Sequence, residues 1–236
     1  MTVFVRLILA LLPAILLLMY IWRKDQKKEP TSRLAKAVLL GIAICVPVSI
    51  IELGIKALLF GFDGQPTSIA EITAMAFIVA ALPEETFKLL ALWLVLRKNS
   101  FFDEHFDGIV YAVYVGLGFA AIENIGYIFS YDEWVSVAIS RSLLAVPGHY
   151  AFAVLMGYYY SLHRFVDRSP RTAACILLIP FLAHGIYDTI AFGGVANPYI
   201  GSISTLVLVY FCVKMHKYAS TKIMAQIERD RNERIV

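Results

Sequence analysis

Residues Ala80–Ala91 read AALPEETFKLLA, which puts two adjacent carboxylates and a lysine inside a stretch that otherwise reads as membrane-spanning helix. The apolar run around them begins near Ile69 and lasts to Leu96. One charged side chain at the centre of such a helix costs about 2.5–3.5 kcal/mol on insertion scales. Glu84, Glu85 and Lys88 together would cancel most of what the surrounding Leu, Ala and Val gain. Charged groups persist at that depth only where other groups inside a bundle satisfy them. Their partners must come from the other spans.

Composition supports the membrane reading. The 236 residues are 59% hydrophobic and only 17% charged, with a mean hydropathy of +0.70. Soluble domains carry about 25% charged residues. Seven apolar segments can be drawn, at roughly 3–22, 37–60, 69–96, 107–130, 136–162, 174–192 and 202–217. The first resembles a signal peptide, but its strong basic flank, from Arg23, follows the apolar run, so it reads as an uncleaved anchor. Loop charges alternate. Residues 23–36, 97–106, 163–173 and the tail from Lys214 hold six, two, three and six Lys or Arg, while 61–68, 131–135 and 193–201 hold none. The positive-inside rule then gives seven spans with the N-terminus outside and the C-terminus in the cytosol. The expected fold is an all-α polytopic bundle, a single integral-membrane domain over 1–236. Its core covers about 69–195, and a cytosolic tail at 218–236 is either frayed or laid on lipid. The net charge of +3 is sorted by loop and gives no nucleic-acid signal. Cys45, Cys175 and Cys212 lie in apolar segments without ligand spacing and read as small core residues.

Four polar sites fall at similar depth on four consecutive spans. They are Glu84-Glu85 with Lys88, Glu123-Asn124, His149, and His184 with Asp188. Glu84 and Lys88 share a helix face, as do Glu85 and Lys88, whereas the two glutamates point about 100° apart. That arrangement predicts that Lys88 neutralises one carboxylate and leaves the other to the cluster. His184 and Asp188 are spaced i,i+4, which lets the carboxylate hold one imidazole nitrogen. Proline precedes three of the sites, at Pro83, Pro147 and Pro180, and loosens the backbone ladder there. Gly116, Gly118 and Gly126 would let helices approach near Glu123. Two further groups read as structural: a Glu52–Lys56 pair, and Arg141 snorkelling outward.

A secluded set of carboxylates and histidines suits hydrolysis by water. One desolvated glutamate can act as base. Histidines with a carboxylate can hold a divalent metal, and Lys88 and Asn124 are candidate oxyanion stabilisers. No serine, cysteine or threonine is placed as a nucleophile, and no organic cofactor is expected. The rival readings are a proton-coupled transporter or channel built on the same midplane Glu/His cluster, and a scaffold whose polar groups only join helices.

Glu84-Glu85-Thr-Phe-Lys88 resembles the EExxK motif of the PrsW intramembrane proteases. Phe119-Ala-Ala-Ile-Glu123-Asn124, His149 and His184-x-x-x-Asp188 are similar to that family's other motifs. The family shares a glutamate/histidine membrane-protease superfamily with the CAAX prenyl endopeptidases and the Abi proteins. The resemblance implies a multi-pass enzyme of the bacterial cytoplasmic membrane, acting within the lipid bilayer on a membrane-anchored protein. Its relatives make the first cut in an anti-sigma factor under envelope stress. Carried over, Glu84 and Glu85 are the catalytic carboxylates, and Lys88 balances charge. Glu123, His149 and His184 would bind zinc or another divalent metal or orient the water, with Asp188 supporting His184. CAAX-type relatives carry histidine where this chain has Glu123.

Overall fold

A computed structural model describes residues 2–196 and 198–235, and every regular element among them is a helix. In chain order these are α1 (Thr2–Lys24), α2 (Thr31–Phe60), α3 (Ile69–Ala74), α4 (Leu82–Leu96), α5 (Asp107–Ser130), α6 (Trp134–Ser140), α7 (Val146–Phe165), α8 (Pro170–Ala196) and α9 (Pro198–Ile235). The composition explains this uniformity, because backbone in hydrocarbon must satisfy its own hydrogen bonds.

Among the described residues, five stretches are long and apolar enough to cross a membrane: Val3–Lys24, Thr31–Phe60, Asp107–Ser130, Trp134–Phe165 and Pro170–Gly194. The expected 69–96 segment is not among them for a chemical reason: it is helical from end to end but holds Glu84, Glu85 and Lys88. The last expected segment, 202–217, lies within the long α9.

Two helical stretches are underwound into π-turns: Met75–Ala81 between α3 and α4, and Arg141–Ala145 between α6 and α7. Each ends just before a proline, Pro83 or Pro147, which cannot donate to the preceding turn. The backbone absorbs the missing bond by widening one turn, and the polar residues that follow are re-aimed inward. Pro180 sits inside a continuous α8 without such a turn.

The bundle is organised on α5, whose spanning window is 72% buried against 17% for α1 and 22% for α2. It packs against α1, α2, α4 and α7. Contact with α7 is close because a Cβ at Gly157 would fall 2.3 Å from the Gly108 carbonyl oxygen and 2.6 Å from Ile109 Cα. Gly126, expected at such a crossing, faces open space instead. At the other end the 218–236 segment is not frayed over its described length. It continues α9, buries Ala219, Ile223, Gln226 and Ile227, and brings Asp230 to accept from the His105 and Phe106 backbone amides at 2.6 and 2.9 Å. A carboxylate from a distant helix thereby caps the start of α5.

The link between α1 and α2 buries Asp25 and Glu29, and the Tyr111 hydroxyl donates to Glu29. Burial outweighs that bond and pushes the Glu29 carboxyl from an ordinary 4.5 up to about 7. A carboxyl whose folded pKa is raised binds its proton more tightly when folded, so stability falls as pH rises through this interval. The thermal midpoint is therefore expected to drop between pH 5 and pH 8. Glu29→Gln should remove part of that drop and leave the pH 5 midpoint unchanged, as read by thermal unfolding in detergent. By the same measurement, Gly157→Ala should destabilise by about 1–3 kcal/mol through overpacking, while Gly126→Ala should not destabilise.

Candidate active site

The π-turn before Pro83 delivers Glu84 and Glu85 to the first turn of α4, with Lys88 one turn later. Opposite them α7 presents His149 and α8 presents His184. One ligand atom from each of Glu84, Glu85, His149 and His184 lies within 4.8 Å of every other, and all four residues are buried. Lys88 Nζ donates to Glu84 Oε2 and Glu85 Oε1, each at 2.8 Å, and stands 3.1 Å from His149 Nδ1. The expectation that Lys88 would neutralise one glutamate and leave the other is therefore corrected. Its ammonium bridges both, because i,i+3 and i,i+4 positions flank one point on the helix surface. Glu85 keeps one free feature: its Oε2 is buried with no hydrogen-bond partner.

Both imidazoles turn Nδ1 toward the centre and Nε2 toward a second carboxylate. His149 Nε2 lies 2.8 Å from Glu123 Oε2, and His184 Nε2 lies 3.2 Å from Asp188 Oδ2. With Lys88 donating to Nδ1, His149 carries its proton on Nε2 and gives it to Glu123. His184 Nδ1 sits 2.9 Å from Glu85 Oε1, and its ring stacks on Phe152 at 4.7 Å between centroids. Each histidine is thus oriented by a carboxylate behind it, the arrangement that positions metal-binding or catalytic imidazoles.

Glu123 was expected as a metal ligand beside His149 and His184, but its place is behind His149, and Glu84 stands at the centre instead. The reason is Arg141. Rather than snorkelling outward, its Nη2 meets Glu123 Oε2 at 2.9 Å, its Nε donates to Asn124 Oδ1 at 2.9 Å, and its guanidinium lies 3.8 Å from the Tyr127 ring centroid. Asn124, expected as an oxyanion donor, is turned away too, since its Nδ2 donates to the Ala10 carbonyl of α1 at 2.7 Å. Glu52 lies in the field of Glu84, Glu123 and Lys88. Seven of the eight residues singled out from the sequence therefore meet in one cluster, and Asn124 braces it from behind.

Counting Glu84, Glu85, Glu123 and Asp188 as ionised, four negative charges face two permanent cations, Lys88 and Arg141. The formal remainder of −2, a donor set of two carboxylates and two imidazoles, and the orphaned Glu85 oxygen all fit a divalent metal. Ligands about 2.0–2.2 Å from a tetrahedral zinc would stand roughly 3.3–3.6 Å apart, within the observed spread. Zinc sites that do chemistry use three protein ligands and keep one position open.

Fold and site together define a polytopic helical protein with a buried glutamate/histidine cluster. Comparison with known proteins gives the family. The sequence model described as "PrsW family intramembrane metalloprotease" matches residues 29–215. Curated relatives, each named "Protease PrsW", include one from Clostridioides difficile (strain 630), 35% identical over 189 residues covering 78% of this chain and 77% of the relative. Another, from Geobacillus kaustophilus (strain HTA426), is 36% identical over 178 residues and 75% of each chain. A third, from Bacillus subtilis (strain 168), is 34% identical over 181 residues, covering 75% of this chain and 78% of the relative. No solved structure matches. The chain belongs to the PrsW family of intramembrane proteases and is a peptidase.

Arg141 was missed in the sequence, although a signal was there: it is an arginine on the side of the bundle whose loops hold no Lys or Arg. Arg141→Met should lower peptidase activity roughly 10- to 100-fold, the usual effect of losing an outer-shell partner. Turnover per folded molecule in a detergent cleavage assay checks this.

Proposed function

We propose that this protein cuts a peptide bond of a membrane-anchored substrate, of the anti-sigma-factor type, with water activated by the Glu84/Glu85 pair. It would work in a bacterial cytoplasmic membrane as one seven-span domain, N-terminus outside and C-terminus cytosolic, with its catalytic core in about 69–195. The observation that carries this reading is the burial of Glu84, Glu85, His149 and His184 within mutual reach of 4.8 Å. The loop-charge alternation supports the topology, and the family motifs support the substrate class.

Glu85 is the proposed base, because Oε2 is the one carboxylate oxygen in the cluster that is buried and unengaged. It takes a proton from water as the water oxygen bonds to the scissile carbonyl carbon. It then returns that proton to the amide nitrogen as the C–N bond breaks. Lys88 offers positive charge to the developing oxyanion. Glu123 and Asp188 hold His149 and His184 in register, and Arg141 holds Glu123. Glu84, His149 and His184 would bind a divalent metal such as zinc, which would acidify the attacking water and polarise the carbonyl.

Removing a positioned base lowers rates about 10²–10⁴-fold. Glu85→Ala and His184→Ala are therefore each expected to abolish cleavage of a co-expressed membrane-anchored substrate without loss of expression, as followed by immunoblot. Full activity in both variants would remove the protease reading.

A further inference from the structure

Lys88 stands where a metal ion would have to be. Its ammonium lies 2.8 Å from Glu84 Oε2, 2.8 Å from Glu85 Oε1 and 3.1 Å from His149 Nδ1, so it engages three of the four residues that could hold a metal. The single Nδ1 lone pair of His149 and one lone pair on each of Glu84 Oε2 and Glu85 Oε1 face Lys88 and are not available to a metal, which leaves Glu85 Oε2 as the unengaged donor. Two cations sharing those donors would also repel strongly, because little solvent screens them there. The pocket is closed around the ammonium: Lys88 is 3% exposed, and the Phe119 ring lies 4.4 Å from Nζ. Arg141, the other permanent cation nearby, pairs with Glu123 behind His149.

We infer that the Lys88 ammonium and a divalent metal are alternative occupants of the cage formed by Glu84, Glu85, His149 and His184, so that metal uptake requires Lys88 to withdraw. This rests on the reading of that cage as the metal-binding site. The lysine is a built-in counter-cation. It offsets one of the two buried negative charges while no metal is present, and metal affinity is set by its displacement as well as by the donors. The same bond to both glutamates that lets α4 sit in the bundle opposes loading of the site.

The test uses full-length protein in detergent, with zinc alone as the probe. Bound zinc per chain and the apparent Kd are measured for the wild type and for Lys88→Met, which keeps an unbranched apolar stem and removes the charge. Lys88→Met is expected to bind zinc at least about tenfold more tightly, and Glu84→Gln in the Lys88→Met background should weaken that binding. In the wild type, acylation of Lys88 by an amine reagent, read by peptide mass spectrometry, should be low without zinc and rise at saturating zinc. Equal or weaker zinc binding by a folded Lys88→Met overturns the inference. Stoichiometric zinc in the wild type with Lys88 still protected overturns it too, and this arm decides if Lys88→Met does not fold. Zinc binding by neither protein also overturns it, and if cleavage then persists in chelator the protease reading stands alone. Zinc competition without any cleavage leaves the inference in place and removes the protease reading.

Discussion

Everything in the membrane interior follows from one contact, the Lys88 ammonium held between Glu84 and Glu85. Without it two adjacent carboxylates would lie uncompensated in a buried helix, and isolated buried charge is among the most unfavourable arrangements a protein can hold. With it, α4 carries a polar knot whose formal charge falls from −2 to −1, and the remaining polar atoms need partners from other helices. From the opposite side His149 of α7 accepts from Lys88 and His184 of α8 meets Glu85, and these contacts fix how the helices face one another. The cluster is thus the register device of the bundle as well as its candidate active site.

Around this centre runs a layer that orients without facing it. Glu123 and Asp188 each hold the outer nitrogen of an imidazole, and Arg141 holds Glu123 while bonding Asn124, which in turn reaches the Ala10 carbonyl. This chain of contacts connects α1, α5 and α7, and an activity effect from changing Arg141 would travel along it. In a low-dielectric interior each such bond is strong and each loss is correspondingly severe. The centre sits on helices rather than loops, so its geometry is set by packing of backbones such as Gly108 against Gly157.

Much of this was legible in the sequence because the membrane simplifies the reading. A carboxylate in a soluble helix has a bland explanation, whereas Glu84, Glu85 and Glu123 in apolar runs do not, so residue identity alone marks the site. Helix spacing then predicted the Lys88 contacts and the His184–Asp188 pair. Direction was not legible. Asn124 follows Glu123 by one residue and so points about 100° away from it, and nothing local tells which of the two faces the centre. Arg141 was misjudged because snorkelling is the default for a cation near a helix end, and only the position of Glu123 on a neighbouring helix overrides it. The docked end of α9 was hidden for a similar reason: its burial depends on His105 and Phe106, more than a hundred residues earlier.

The centre is closed, and this constrains how a substrate could reach it. The side chains of Glu84, Glu85, Lys88 and His184 are exposed by 6% or less, whereas Glu123 is 21% exposed, Arg141 13% and Asp188 12%. A cavity of about 360 Å³ lies away from this cluster, between α1 and α2, and is lined by Leu18, Trp22, Leu34 and Tyr114 among others. Water or peptide approaching Glu85 must therefore pass the Glu123–Arg141–Asp188 edge or part the helices. Arg141 of that edge opens the π-turn Arg141–Ala145, the kind of helix irregularity often found at functional sites. The same widened turn that precedes His149 thus also carries Arg141, one of the three residues of that edge.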